Sequence, residues 1–292
     1  MKKNNLAPSF VILLFFIVSC DKFIEYQYDV PPDKLVVFAR LNPQKGLEVK
    51  LTHSIIPNGI HYFDEDINVE DASIILIVND TGFTSVPHIS SGQYTLDGNV
   101  IDIHPGNRYK LRVASPKYGV AESSEVVIPN KSIVTFLKYE SDKRNINGDT
   151  CINAFFTISN SNTSTNTYYY DIKIPFDDYP WVNMKINDIE SEICEMIDYS
   201  DLHFFTDKCM SKPTDTLELE IQNIYKGKAI GYFEINISSI SESLYKYAQN
   251  AIQPEGKIEL AYSEPRLTYM NFDNAYGVFY CENNQSINIH LK

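Results

Sequence analysis

Apolar and polar residues alternate in short runs along most of the chain, the period of strands with one buried face. Residues 35–41 (LVVFARL) open the series. In residues 47–53 (LEVKLTH) Leu47, Val49 and Leu51 share one face, and after a Pro105-Gly106 turn Tyr109, Leu111 and Val113 do the same. Residues 72–78 (ASIILIV) are apolar without a break, which suits a central strand, and residues 79–82 (NDTG) form the turn that ends it. Shorter runs at 92–96 (GQYTL) and 119–129 (GVAESSEVVIP) complete the group. Short strands at regular spacing predict a β-sandwich over residues 35–130, immunoglobulin-like or prealbumin-like.

A second β-rich domain is expected over 131–292. Its strands are read at 132–140, 151–159, 165–174, 216–225 and 229–237, with residues 160–166 (NSNTSTN) as a hairpin loop. Residues 176–213 are irregular in pattern and are read as an excursion, with a short helix around 189–197. One helix stands out over 240–252. Ser239 and Glu242 have capping-box spacing, Leu244, Tyr247, Ala248, Ala251 and Ile252 make one stripe, and Pro254 stops the run. The stripe predicts a helix docked on the second-domain sheet through Leu244, Tyr247, Ala248 and Ile252. The fold class is therefore mainly β.

The first twenty residues read differently. Lys2 and Lys3 precede an apolar run over 10–18, then Ser19 and Cys20. That is the layout of a bacterial secretory signal peptide, and the run is about half the roughly twenty residues a spanning helix needs. A cysteine at this point is the acceptor of a lipoprotein modification. Residues 1–19 are the expected signal, Cys20 the lipidated first mature residue, and residues 20–34, with Pro31-Pro32, an extended tether. Two or three acyl chains, palmitate among them, give lasting anchorage where one chain is marginal.

Loss of the signal removes 19 of 292 residues and leaves 273, enough for two domains. Lys plus Arg falls from 25 to 23 against 38 Asp plus Glu, a mature net charge of −15. Such a chain is repelled by nucleic acid and by anionic headgroups. The scattered strand charges also argue against an integral outer-membrane barrel.

Four cysteines remain, Cys151, Cys194, Cys209 and Cys281, and four allow three pairings. Cys194 and Cys209 lie close in an irregular region and make the first choice for a disulfide. Cys151 and Cys281 would then join two strands of the second domain. Four buried thiols are the alternative, since free cysteine packs as a small hydrophobe. No Cys-x-x-Cys pair and no histidine at ligand spacing support zinc, and no other cofactor is expected.

Catalytic patterns are missing. His53, His61, His88, His104, His203 and His290 are dispersed, and no nucleophile elbow or phosphate-binding glycine loop occurs. The chain is read as a non-enzyme. In the acidic run 64–71 (DEDINVED), Asp64, Asp66 and Asn68 alternate as in a calcium loop, but Val69 and Ile75 stand where glycine and glutamate are needed. Aromatic clusters at 168–170, 179–181 and 204–205 are candidates for sugar or partner contact, with Tyr168, Tyr170 and Trp181 as the ligand-binding set. Core packing is the competing role.

Several of these stretches occur together: LVVFARL, the HPGNRYKLRV strand, the helix ISESLYKYAQ, and the late NFDNAYGVFY. As a set they resemble the family catalogued as domain of unknown function 4249, envelope lipoproteins of the Bacteroidota. Residues 271–279 (NFDNAYGVF) resemble the family's N-I-x-N-G-x-G-x-F motif, with Ala275 in place of the first glycine. The resemblance implies, by association, an accessory lipoprotein of the outer membrane that binds or scaffolds beside a TonB-dependent receptor or similar complex. No catalytic residues carry over. The alternative is a surface lipoprotein that binds glycan or peptide through exposed aromatics.

Overall fold

The alternation in residues 35–53 closes into a hairpin. β1 (Leu35–Asn42) pairs antiparallel with β2 (Gly46–His53), and Leu35, Val37, Leu41, Leu47 and Leu51 are fully buried. The computed structural model describes residues 33–55, 67–144, 148, 150–159, 166–174, 182–186, 189–190, 197–199, 202–210, 216–222, 224–225, 228–229, 231–251 and 269–291. The chain continues through β3 (Ser73–Val78), β4 (Gly82–Val86), β5 (His88–Ser90), β6 (Gln93–Asp97), β7 (Arg108–Ser115), β8 (Gly119–Glu122) and β9 (Val126–Val127). The unbroken apolar run forms β3, which lies inside a sheet of order β4-β3-β7-β8 with β9 also on β7. That sheet packs on β1, β2 and β6 through Ile74, Leu76, Tyr109, Leu111 and Val113.

The second half supplies β10 (Ile133–Arg144), β11 (Thr150–Ser159), β12 (Thr167–Lys173), β13 (Val182–Ile186), β14 (Ile189–Glu190), β15 (Ile197–Tyr199), β16 (Leu202–Thr206), β17 (Thr216–Gln222), β18 (Ile224–Tyr225), β19 (Lys228–Ala229) and β20 (Tyr232–Ile240). Helix α1 (Glu242–Ala251) and β21 (Ala275–His290) follow. β10-β11-β17-β13-β14 make one sheet, and β18 pairs with β19. The remaining strands join the first half in a nine-stranded sheet, β15-β16-β12-β20-β21-β1-β2-β6-β5. A second core lies between this sheet and the β10–β17 sheet, with Phe156, Tyr168, Tyr170, Phe205, Leu219, Phe233 and Ile235 in it.

The two cores share one strand. Residues 275–281 of β21 run parallel to β1, and residues 282–290 run antiparallel to β20. Along one face, Ala275, Phe279 and Cys281 enter the first core, while Ile287 and Ile289 reach the second. Between them Asn283 donates to the Pro129 carbonyl, and Gln285 bonds both the amide and the carbonyl of Val134. Both cores belong to one compact unit that begins at Asp33.

Two local expectations are corrected. Residues 160–166 do not close a hairpin, because β11 pairs with β10 and β17 while β12 pairs with β16 and β20. Residues 160–165 lie outside the described residues, and the strands on either side of them, β11 and β12, belong to different sheets that each line the second core. The helix around 189–197 is replaced at both ends by strands, with Ile189 opposite Ile186 and Ile197 opposite Phe204. Residues 191–196 lie outside the described residues.

The helix expected over 240–252 is α1, and its start differs from the capping box. Ser239 is still in β20, where its hydroxyl meets that of Ser132 at 2.7 Å. Ser241 stands before the helix instead. Its hydroxyl accepts from the Cys281 amide at 3.0 Å and contacts Ser243 Oγ, which donates to the Phe279 carbonyl. The buried stripe is Leu244, Tyr245 and Ala248, packed on Tyr169, Phe204 and Ile240. Tyr247 sits at its margin with its ring edge-on to Phe38, centroids 5.5 Å apart. The side chains of Ala251 and Ile252 lie outside the described residues. Leu244→Ala is expected to cost about 2–3 kcal/mol, the lower part of the range for buried leucine, because the site lies at the edge of a small cluster. Urea denaturation measures it, and an unchanged midpoint would remove the helix from the fold's support.

Candidate functional site

The face of β21 turned away from the cores carries Tyr280, Glu282 and Asn284. Beside it β1 carries Arg40 and Asn42, and two strands over on the other side β12 carries Tyr169. Glu282 is 2 % exposed, and three neighbours converge on its carboxylate. Asn42 Nδ2 donates at 3.0 Å, Tyr169 Oη donates at 2.6 Å, and Arg40 Nη1 lies 3.6 Å away. Asn42 Nδ2 also reaches Asn284 Oδ1 at 3.1 Å, while Asn42 Oδ1 accepts from the amides of Gln44 and Lys45 in the β1–β2 turn. Arg40 bonds Glu48 on β2 as well.

Burial alone would lower the pKa of Arg40, but the Glu282 charge and the Glu48 hydrogen bond outweigh it and hold the guanidinium above its ordinary value. Burial, the Glu282 charge and the bond to Glu282 push the Tyr169 hydroxyl well up, so it stays a donor. Burial and Glu282 act the same way on Tyr280. The carboxylate is thus held by charge-assisted contacts from two strands, β1 and β12, the condition under which a buried charge is tolerated.

An open groove adjoins the network. It is lined by Phe38, Arg40, Glu48, Lys50, Thr95 and Tyr280 on the outer face of β1, β2, β6 and β21. Phe38 is exposed although it lies in a strand. Lys50 Nζ is fixed by Asn68 Oδ1 at 2.8 Å and the Ser91 carbonyl at 2.7 Å. Arg40 is paired with carboxylates while Lys50 is held by neutral oxygens, and burial and Glu282 hold the Tyr280 hydroxyl protonated. The arrangement offers two rings and the Arg40–Glu48 ion pair as contact groups.

The residues singled out from sequence are placed elsewhere. Tyr168 and Tyr170 are each 1 % exposed, so they are core residues and not a platform. Tyr168 stacks on Phe205 and Tyr170 on His203, because in β12 both point into the second core. Trp181, Cys194 and Cys20 lie outside the described residues, as do Asp64 and Asp66 of the acidic run and the side chain of Cys209. Cys151 and Cys281 are buried and form no disulfide. Cys281 faces the first core on the shared strand, whereas Cys151 lies near the start of β11 in the sheet of the second core, outside that cluster. Asn68 serves Lys50. No metal-holding cluster of His, Cys, Asp or Glu occurs among the described residues. Arg40, Asn42 and Glu282 were not legible as a set. The one available signal was the polar run 282–286 (ENNQS) in the middle of a strand.

Residues 271–279 show what their pattern is for. Asn271 is buried, its Nδ2 donating to the Phe279 carbonyl and its Oδ1 accepting from the Phe279 amide, both at 2.8 Å. Asp273 Oδ1 accepts from the Glu122 amide, and Asn274 reaches the Val120 carbonyl. The segment seals the β8 edge and turns the chain into β21 against β1.

These features define a class: a mainly β scaffold of two cores, joined by one shared strand, with a buried charge network and a groove on its outer face. The family model described as Domain of unknown function (DUF4249) matches residues 21–288, and the chain belongs to that family. No curated protein matches it.

Proposed function

We propose that the chain is a lipoprotein of the bacterial envelope, anchored in the outer membrane through Cys20, that binds or scaffolds beside an outer-membrane protein without catalysing a reaction. The observation that carries this reading is the pattern of Lys2-Lys3, an apolar run, Ser19 and Cys20 ahead of a polar tether. The family match begins at residue 21, next to the cysteine, which agrees with Cys20 as the first mature residue. A partner of the TonB-dependent receptor type is part of the proposal, and the groove at Phe38, Arg40 and Tyr280 is the surface offered to it. The two rings and the Arg40–Glu48 ion pair there are the contact groups for recognition. The glycan- or peptide-binding alternative loses its Tyr168 and Tyr170 platform, since both rings are buried.

Mass spectrometry of the mature N-terminus tests the anchor. The wild type should begin at an acylated Cys20, and Cys20→Ala should accumulate as an unprocessed, unacylated precursor. A wild-type N-terminus that is unmodified and lies elsewhere would end the lipoprotein reading. A co-purifying barrel from gently solubilised membranes would support the partner.

A further inference from the structure

A second hollow lies on the other side of α1, between its first turns and the ends of β12, β16 and β20. It measures about 420 Å³, within the span of small-molecule pockets. Thr206, the last residue of β16, lines it. Thr206 is 2 % exposed, and its hydroxyl has no hydrogen-bond partner among the described residues. Buried hydroxyls are nearly always bonded, so one left over beside a cavity marks a place for an incoming group.

The rest of the wall is polar, neutral and held in place. The Thr167 hydroxyl donates to the Ile240 carbonyl at 3.0 Å, and Ser239 is tied to Ser132. Asn166 is locked on the Asp207 carboxylate through its amide at 2.8 Å and its Nδ2 at 2.6 Å. Tyr245 adds an aromatic surface and Gln249 an exposed amide. At the mouth Lys246 pairs with Glu242 at 3.0 Å, and Lys208 follows Asp207, so the charges balance. An anion finds no net positive field here. An extended peptide finds no open strand edge, because β12 is paired on both sides. Hydroxyl and amide groups beside one ring, without net charge, suit a neutral polyhydroxylated molecule.

We propose that the cavity between α1 and the ends of β12 and β16 is a binding site for a neutral saccharide unit, with the buried Thr206 hydroxyl as its innermost hydrogen-bond partner. The site is independent of lipid anchoring and of the groove at Arg40.

The test uses the full chain in lauryldimethylamine oxide, a detergent without a sugar headgroup. Saturation-transfer NMR is run with glucose, mannose, N-acetylglucosamine, maltose and cellobiose. At least one should bind. Thr206→Val keeps the shape and removes the hydroxyl, so it should weaken that sugar by about tenfold or more, the worth of one buried hydrogen bond. The same variant should melt no lower than wild type without sugar, because the lost hydroxyl has no partner among the described residues. Thr206→Ser should retain binding. Silence from all five sugars at about 10 mM, weaker than any useful affinity, would overturn the proposal. So would a Thr206→Val protein that binds like wild type.

Discussion

Gly277→Ala is expected to destabilise the protein strongly for a single-methyl change, by about 3–5 kcal/mol. Gly277 sits in β21 opposite Val37 of β1, with φ of +104°. A Cβ built there would lie 2.1 Å from the Val37 carbonyl oxygen and 3.0 Å from its amide nitrogen. The obstacle is backbone inside the parallel pairing, so no side chain can swing aside. Either β1 moves, which disturbs the first core, or β21 detaches and both cores lose their common strand. Gly106 is the control. It also has a positive φ, +83°, but nothing lies within 4 Å of its missing Cβ. Gly106→Ala should therefore cost only the left-handed strain, about 1 kcal/mol. Urea denaturation of the two variants separates the terms. Equal losses would mean that the close approach to Val37 does not govern this site. Against a typical stability of about 5–15 kcal/mol, the Gly277 loss is large enough to lower the folded yield in cells.

Glu282→Ala should cost a similar amount, about 3–5 kcal/mol, the range for breaking a buried ion pair by removing one partner. The substitution leaves the Arg40 guanidinium facing a void and deprives Asn42 and the Tyr169 hydroxyl of their acceptor. Glu282→Gln is the milder variant. It keeps one acceptor oxygen and loses the charge, for about 1.5–3 kcal/mol, the worth of hydrogen bonds to a charged group. Removing the charge on the other side should recover part of the loss. In the pair Arg40→Met with Glu282→Ala, no buried charge is left unmatched except Glu48, which is partly exposed and can turn to water. A double-mutant cycle should accordingly show coupling above about 1 kcal/mol. Additive losses would show that Arg40 answers to Glu48 alone. The expected location of the damage is specific: the network ties β1, β12 and β21, so cooperativity between the two cores should fall along with stability.

The same network bears on the proposed partner. Arg40 lines the groove and also pairs with the buried carboxylate, and Tyr280 lines the groove beside it. A partner seated on Phe38 would thus rest on groups that the fold has already ordered, which lowers the entropy lost on docking.

The sequence by itself determined β1, β2, β3, β6 and β7 of the first core. The period of two in Leu47, Val49 and Leu51, and in Tyr109, Leu111 and Val113, needs only the knowledge that one face is buried. The apolar run at 72–78 marked a central strand for the same reason, and the stripe around Leu244 and Ala248 marked the helix. These are local signals, and local signals survive without tertiary information. Family membership was also legible, through short motifs such as residues 271–279.

Tertiary structure alone decided the rest. Period two says that Tyr168 and Tyr170 share a face, but not whether that face meets water or another sheet. Packing against Phe205 and Phe233 settled it as core. Residues 160–166 carry turn chemistry whether the next strand returns beside β11 or crosses to the opposite layer. Ser239 has the spacing of a cap, yet β20 runs on to Ile240 and uses the Ser239 hydroxyl against Ser132 instead. Arg40 and Glu282 are separated by most of the chain, and nothing near either one names the other. They meet because β21 lies parallel to β1, a pairing between the two ends of the fold. That contact is non-local, and its register places Gly277 against the Val37 backbone, where a Cβ has no room, a juxtaposition no period in the sequence can express.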